Sequence, residues 1–298
     1  MALRSLDNNL PTTPERPKKL AKVTTILPIS TNDENKLPVP VSADHAIDYV
    51  LSEDLEAITD PEIKIQSLME GLESKDWTKV CESLNDTRRF SLYHSTLLLP
   101  TLDKVMVIIV KAMKNPRSAL IKTSIMTASD IFKSYGHGLL ESSTSEAFDQ
   151  LLLQLLLKAS QDKRFVCEEA EKSLLVMVEC MPSLALVSKL RAFVSHTNPR
   201  VRAKAAVSFA HCVSKMGLNA MKEFGLVSLI LIAAELLNDR LPEAREAARR
   251  TVTSVYEAFT GDEDLKNLDL SAAESWQNFC ASNLSPIQAQ SLTKITSS

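Results

Sequence analysis

The chain has 298 residues, 45% of them hydrophobic and 24% charged, with a formal net charge of −3. That is enough apolar side chain for one domain with tails or two small domains, while so small a net charge supplies no long-range field to draw the molecule onto nucleic acid or an anionic membrane, so electrostatic recognition has to be local. Aromatic residues at 5% and only 6 glycines disfavour the Gly-punctuated turns of an all-β fold and point to an all-α architecture.

Residues 1–44 hold six of the 13 prolines and no helical periodicity. They carry too little apolar surface to offset the entropy of ordering and read as a disordered Pro/Thr-rich arm. Within it, Thr13-Pro14-Glu15-Arg16 has the form a proline-directed kinase prefers; the plainer reading is an ordinary Pro/Lys-rich tail. The start lacks the apolar stretch of a signal peptide, and runs such as LLLQLLL from Leu151 and FGLVSLILIAAELL from Phe224 are too short to span a bilayer. The five cysteines stand singly, with no C-x-x-C pair, which fits a reducing cytoplasm.

From Pro61 onward the pattern is helix after helix. Pro61 opens one at the tolerated first-turn position, with Ile63, Leu68, Met69 and Leu72 at helical spacing. Asp76-Trp77 opens the next, through Cys81 and Leu84. A long apolar helix is predicted over Leu97 to Met113, broken at Asn115-Pro116. Its partner places Leu120, Ser124, Ala128, Ile131 and Phe132 on one stripe and ends at Tyr135-Gly136-His137-Gly138, a glycine cap. Three further pairs follow: Ser145 to Ala159 with Phe165 to Cys180, Leu184 to Val194 with Val201 to Met216, and Met221 to Leu237 with Pro242 to Phe259. A closing helix around Ala272 to Ala281 carries Trp276 and Phe279. The polar end from Ser285 is expected to fray, giving a helical-repeat domain over residues 45–283 and a flexible tail over residues 284–298.

The polar breaks sit near residues 75, 115, 163, 199 and 240, a spacing of roughly 36 to 48, the period of paired-helix solenoids of the HEAT and armadillo kind. Such repeats cannot bury their apolar faces singly; they stack, and the tight turns inside each pair align along one edge. The breaks are basic: Lys75 and Lys79, Lys114 and Arg117, Lys163 and Arg164, Arg200 and Arg202, Arg240 and Arg245. The acids among them are chiefly Asp76, Asp162, Asp239 and Glu243. Trp77 admits two readings, a contact aromatic on the edge or a buried tryptophan sealing the first repeat.

Catalysis has little to stand on. His45, His94, His137, His196 and His211 are dispersed, and no H-E-x-x-H, no C-x-x-C and no phosphate-cradling glycine loop occurs, so neither a catalytic residue nor a metal or other cofactor is assigned. The acids Glu168, Glu169 and Glu171 read as first-turn residues favouring a helix macrodipole rather than as metal ligands.

The ordered series DWTKVCESLNDTRRF from Asp76, NPRSALIKTSIMTASDIF from Asn115, DKRFVCEEAEKSLLVMV from Asp162 and HTNPRVRAKAAVSFAHCVSKMG from His196 resembles TOG domains. These are the HEAT-type arrays of tubulin-binding proteins, and the resemblance is particularly to the CLASP and Crescerin branches. The resemblance covers about residues 58–283. It implies that the turn edge binds acidic tubulin, with Trp77 as aromatic contact and Arg117 and Ser118, Lys163 and Arg164, Arg200 and Arg240 following along it. Lys79, Lys114 and Arg202 complete the basic set. Two positions depart from the family pattern: Val80 stands where a basic residue is common, and Leu241-Pro242 where a more polar link is usual. The expectation is a non-enzymatic cytoplasmic protein associated with microtubules, of open oligomeric state. The alternative is a general armadillo-type scaffold for another protein.

Overall fold

The computed structural model describes residues 49–140, 145–261 and 271–297; the arm expected over residues 1–44, with Thr13, lies outside them. Every regular element among the described residues is helical. In chain order these are α1 (Pro61–Leu72), α2 (Trp77–Tyr93), the short α3 (Ser95–Leu98), α4 (Leu102–Met113), α5 (Ser118–Tyr135), α6 (Ser145–Ala159) and α7 (Arg164–Cys180). There follow α8 (Ser183–Leu190), α9 (Pro199–Lys215), the short α10 (Leu218–Phe224), α11 (Leu226–Leu236), α12 (Pro242–Thr260), α13 (Ala272–Asn283) and α14 (Pro286–Thr296).

Five antiparallel pairs, α1/α2, α4/α5, α6/α7, α8/α9 and α11/α12, stack in sequence, with the second helix of each pair packed on the second helix of the next. One continuous core runs from Leu68 to Leu292. The predicted stripe Leu120, Ser124, Ala128, Ile131 and Phe132 lies wholly inside it, each large apolar side chain contributing roughly 1.5–3 kcal/mol by leaving water. Trp276 closes the far end: it is 1% exposed and meets Tyr256, Phe259 and Phe279 with ring centroids 5.4 to 5.8 Å apart.

Local chemistry redraws several predicted boundaries. Pro100 breaks the helix expected from Leu97, leaving α3 and a 3₁₀ turn before α4. Gly225, with φ of 103°, divides α10 from α11, a backbone state that costs glycine little. Gly136 closes α5 in a right-handed conformation rather than as a left-handed cap. It has to be glycine because a Cβ there would stand 2.3 Å from the Cys180 carbonyl oxygen. The expected frayed tail is instead α14, started by a capping box in which Ser285 and Gln288 satisfy each other's backbone N–H groups and anchored by the buried Leu292. Ile63 is 70% exposed, so α1 turns a narrower face inward than its spacing implied.

Residues 49–55 form a strap across α2 and α5. Arg88 on α2 and Asp130 on α5 pair at 2.7 Å, with side chains 1% and 0% exposed. Arg88 also donates to the Val50 carbonyl at 2.8 Å, Asn85 Oδ1 at 3.0 Å and Ser52 Oγ at 3.3 Å. Asp130 accepts in addition from the Ser52 hydroxyl at 2.7 Å and from Lys133 at 3.0 Å. Tyr93 donates to the Leu55 carbonyl at 2.6 Å. The strap supplies the bonds water would otherwise make to a charge pair, the condition under which burying one is tolerable.

His211 on α9 sits 3.4 Å from Arg250 of α12. Burial first, then the Arg250 charge, lower its pKa against the opposing pull of Glu179. A histidine whose folded pKa is depressed contributes stability that is complete above its ordinary value near 6.5 and is lost as pH falls below it. Thermal melts at pH 7.5 and 5.5 should therefore show a larger fall for the wild type than for His211→Gln; equal falls would contradict this assignment. The lowered carboxylates, Asp76, Glu168 and Glu274, titrate below that window.

Candidate functional site

The five turns inside the helix pairs span residues 73–76, 114–117, 160–163, 191–198 and 237–241, where the polar breaks predicted them. Four share one device. The side chains of Asp76, Asn115, Asn198 and Asp239 each accept the backbone N–H two residues on, from Thr78, Arg117, Arg200 and Leu241, at 2.8 to 3.0 Å. An Asx residue doing this imitates a backbone turn, and at Asn198 and Asp76 it also caps the helix. The recurring Asn-Pro and Asp-x breaks are thus the chemistry that stops one helix and aims the next.

Consecutive turns touch through their side chains. The Arg117 guanidinium lies 5.4 Å from the centroid of the Trp77 ring. Lys163 Nζ lies 3.4 Å from Ser118 Oγ. Arg200 bonds Asp162 at 2.5 Å, and Arg202 bonds Asp239. The turns therefore form a single flank, first to fifth.

The candidates do not all stand alike on that flank. Lys75, Lys79, Lys114, Arg117, Lys163, Arg164, Arg200 and Arg240 are exposed and Ser118 is half-buried. Among the described residues, Lys75, Lys114 and Arg240 form no ion pair. Arg164 pairs with Glu168 in its own helix with side chains 90% and 51% exposed. The Arg200–Asp162 pair is similarly open, the kind of contact worth about 0–1 kcal/mol and readily exchanged for a partner's carboxylate. Arg202 differs: it is engaged with the nearly buried Asp239 and donates to the His196 carbonyl at 2.6 Å, so it braces the fourth turn against the fifth. Arg245 likewise donates to the carbonyls of Asp239 and Arg240.

Trp77 combines its two readings. It is half-buried and packs on the core, while Arg117 covers part of its ring, a cation–π contact that orders both side chains. Val80 is 7% exposed, which is why a basic residue is absent there. Lys204, behind the flank, is squeezed by burial but held charged by Glu171 and Glu243, at 2.7 and 2.6 Å. The three clustered acids therefore serve separate cations, Glu168 with Arg164, Glu169 with Lys122 and Glu171 with Lys204, and none lies in the first turn of α7. The macrodipole reading gives way to charge pairing, within α7 for Glu168 and across helices for Glu169 and Glu171. Burial pushes the Cys81 and Cys280 thiols up to about 11 and Cys212 to about 12, leaving them inert packing groups at neutral pH. No helix among the described residues is long and apolar enough to cross a membrane.

Stacked helix pairs with an Asx-built, cation-rich turn flank define a HEAT-type solenoid of the TOG class. The chain belongs to the CLASP N terminal family, whose model matches residues 93–276. It is 26% identical over 213 residues to the mouse "TOG array regulator of axonemal microtubules protein 1", a match taking in 70% of this chain and 12% of that protein. The chain thus corresponds to a small part of that relative's length. Among solved structures, a TOG domain from C. elegans superposes with a TM-score of 0.54 at 16% identity, covering 82% of this chain and 89% of that one. A structure described under "TOG-tubulin binding specificity promotes microtubule dynamics and mitotic spindle formation" superposes with a TM-score of 0.51 at 13% identity, covering 77% and 80%.

Proposed function

We propose that the chain is a non-catalytic cytoskeletal module that binds tubulin, as dimers or in the microtubule lattice, by laying its turn flank on an acidic surface. The observation that carries the reading is the continuous flank itself, on which exposed Lys114, Lys163, Arg200 and Arg240 follow the Trp77–Arg117 stack from turn to turn. Family membership supports it, as does a relative described as a regulator of axonemal microtubules. With a net charge of −3 the whole molecule does not seek an acidic polymer; the local flank does, so contacts are distributed, salt-sensitive and expressed mainly in association rate. The alternative, a general armadillo-type scaffold whose groove would be lined by spaced Asn and Trp, has only Trp77 and Trp276 to offer, and Trp276 is in the core.

Pelleting with microtubules tests this. The purified chain should co-sediment at low salt and be released as salt rises, and a variant with Trp77→Ala, Arg117→Glu, Lys163→Glu and Arg200→Glu should stay in the supernatant. Co-sedimentation of both to the same extent would remove the flank from the mechanism.

A further inference from the structure

The flank carries a second aromatic that its sequence pattern did not single out. Phe165, the second residue of α7, is 44% exposed and follows directly on Lys163 and Arg164. A lone apolar side chain at a surface is ordinary, but this position is not. The second residues of the other flank helices are Thr78, Ala119, Arg200 and Glu243, polar or small in every case. Phe165 also stands at the third of five turns, the middle of the flank, with exposed cations on its own turn and Arg200 on the next. Trp77, by contrast, lies at the first turn, packed on the core and partly covered by Arg117.

Binding energy in an interface concentrates on aromatics near its centre, ringed by polar contacts that exclude water. A phenylalanine brings large area and few torsions to be frozen. We infer that Phe165 is the apolar anchor of the flank, seating in a hydrophobic recess of the partner whose rim supplies carboxylates to Lys163, Arg164 and Arg200. The inference deepens the tubulin reading and rests on it. It separates two jobs: the cations bring the partner in, and the ring holds it. The Trp77–Arg117 stack then sets the geometry of the first two turns more than it grips the partner.

The two jobs have different kinetic signatures, since rim charges govern association and salt dependence while a desolvated anchor governs dissociation. Association and dissociation of soluble tubulin dimers should be followed on the immobilised chain for wild type, Phe165→Ala, Phe165→Leu and Lys163→Glu, each with a thermal melt. Phe165→Ala is expected to speed dissociation about 30-fold, with Phe165→Leu between it and wild type, and neither changing the melting temperature or the salt dependence of association. Lys163→Glu is expected to slow association instead. Wild-type binding with unchanged dissociation in Phe165→Ala overturns the anchor and leaves the tubulin reading standing. Failure of the wild type to bind overturns both.

Discussion

Asp130→Ala is expected to lower the unfolding free energy by about 3–5 kcal/mol, read from urea denaturation. The substitution removes the only carboxylate bonded to Arg88 among the described residues and leaves a guanidinium inside a site where its partner is 0% exposed. Arg88 keeps Val50, Asn85 and Ser52 as hydrogen-bond acceptors, but these are neutral and cannot offset a buried positive charge. Ser52 loses its acceptor at the same time and Lys133 its carboxylate, keeping only Ser52 Oγ at 3.4 Å, so hydrogen exchange in residues 49–55 should rise along with global instability. The paired substitution Arg88→Met with Asp130→Leu should recover most of the loss, because replacing both charges by apolar groups of similar bulk removes the desolvation penalty on each side. A loss of less than about 1 kcal/mol in Asp130→Ala would mean that water reaches the pair in solution and that the strap does not seal it.

The second large effect concerns the flank. Reversing Lys114, Lys163 and Arg240 together, each to Glu, should weaken tubulin binding about 100-fold, mainly through the association rate and with a flatter salt dependence. These three are chosen because none has an ion pair among the described residues, so reversal leaves no orphaned internal carboxylate and the melting temperature should stay near that of the wild type. Arg202→Glu makes the contrast. It sets a carboxylate against Asp239, which is 4% exposed, and should destabilise the fourth and fifth turns outright. Binding that survives the triple reversal would place the contact surface elsewhere on the solenoid.

Much of this arrangement was legible in the sequence, and the parts that were not share a physical reason. Helix pairs and their turns were read from local signals: Pro61, Asn115-Pro116 and Pro242 punctuate the chain where the helices begin or end. The alignment of the breaks followed from stacking, and the structure links the turns in order. What local pattern could not show was how charges separated by some forty residues meet. Arg200 with Asp162, Arg202 with Asp239 and Arg88 with Asp130 are set by packing between repeats, so the basic pattern of the breaks does not show that two of its arginines, Arg202 and Arg245, are engaged within the fold. The strap was hidden for the same reason, its seven residues having no periodicity of their own. Phe165, by contrast, was legible: Val166, Ala170, Leu174 and Met177 mark the buried stripe of α7 by their spacing and leave Phe165 off it, beside Glu168 and Lys172. The terminal helix had a legible signal: Ser285, Pro286 and Gln288 spell a capped helix start, masked by polar composition.

The most direct measurement compares two single reversals of equal charge. Lys163 lies on the third turn of the flank, whereas Lys104 is exposed near the start of α4, at the opposite end of that helix from the turn. Equilibrium binding of soluble tubulin dimers to the wild type, Lys163→Glu and Lys104→Glu should show tight binding weakened several-fold by the first change, about 10-fold, and left alone by the second. Equal affinities for all three, or equal weakening by both, would contradict docking through the turns.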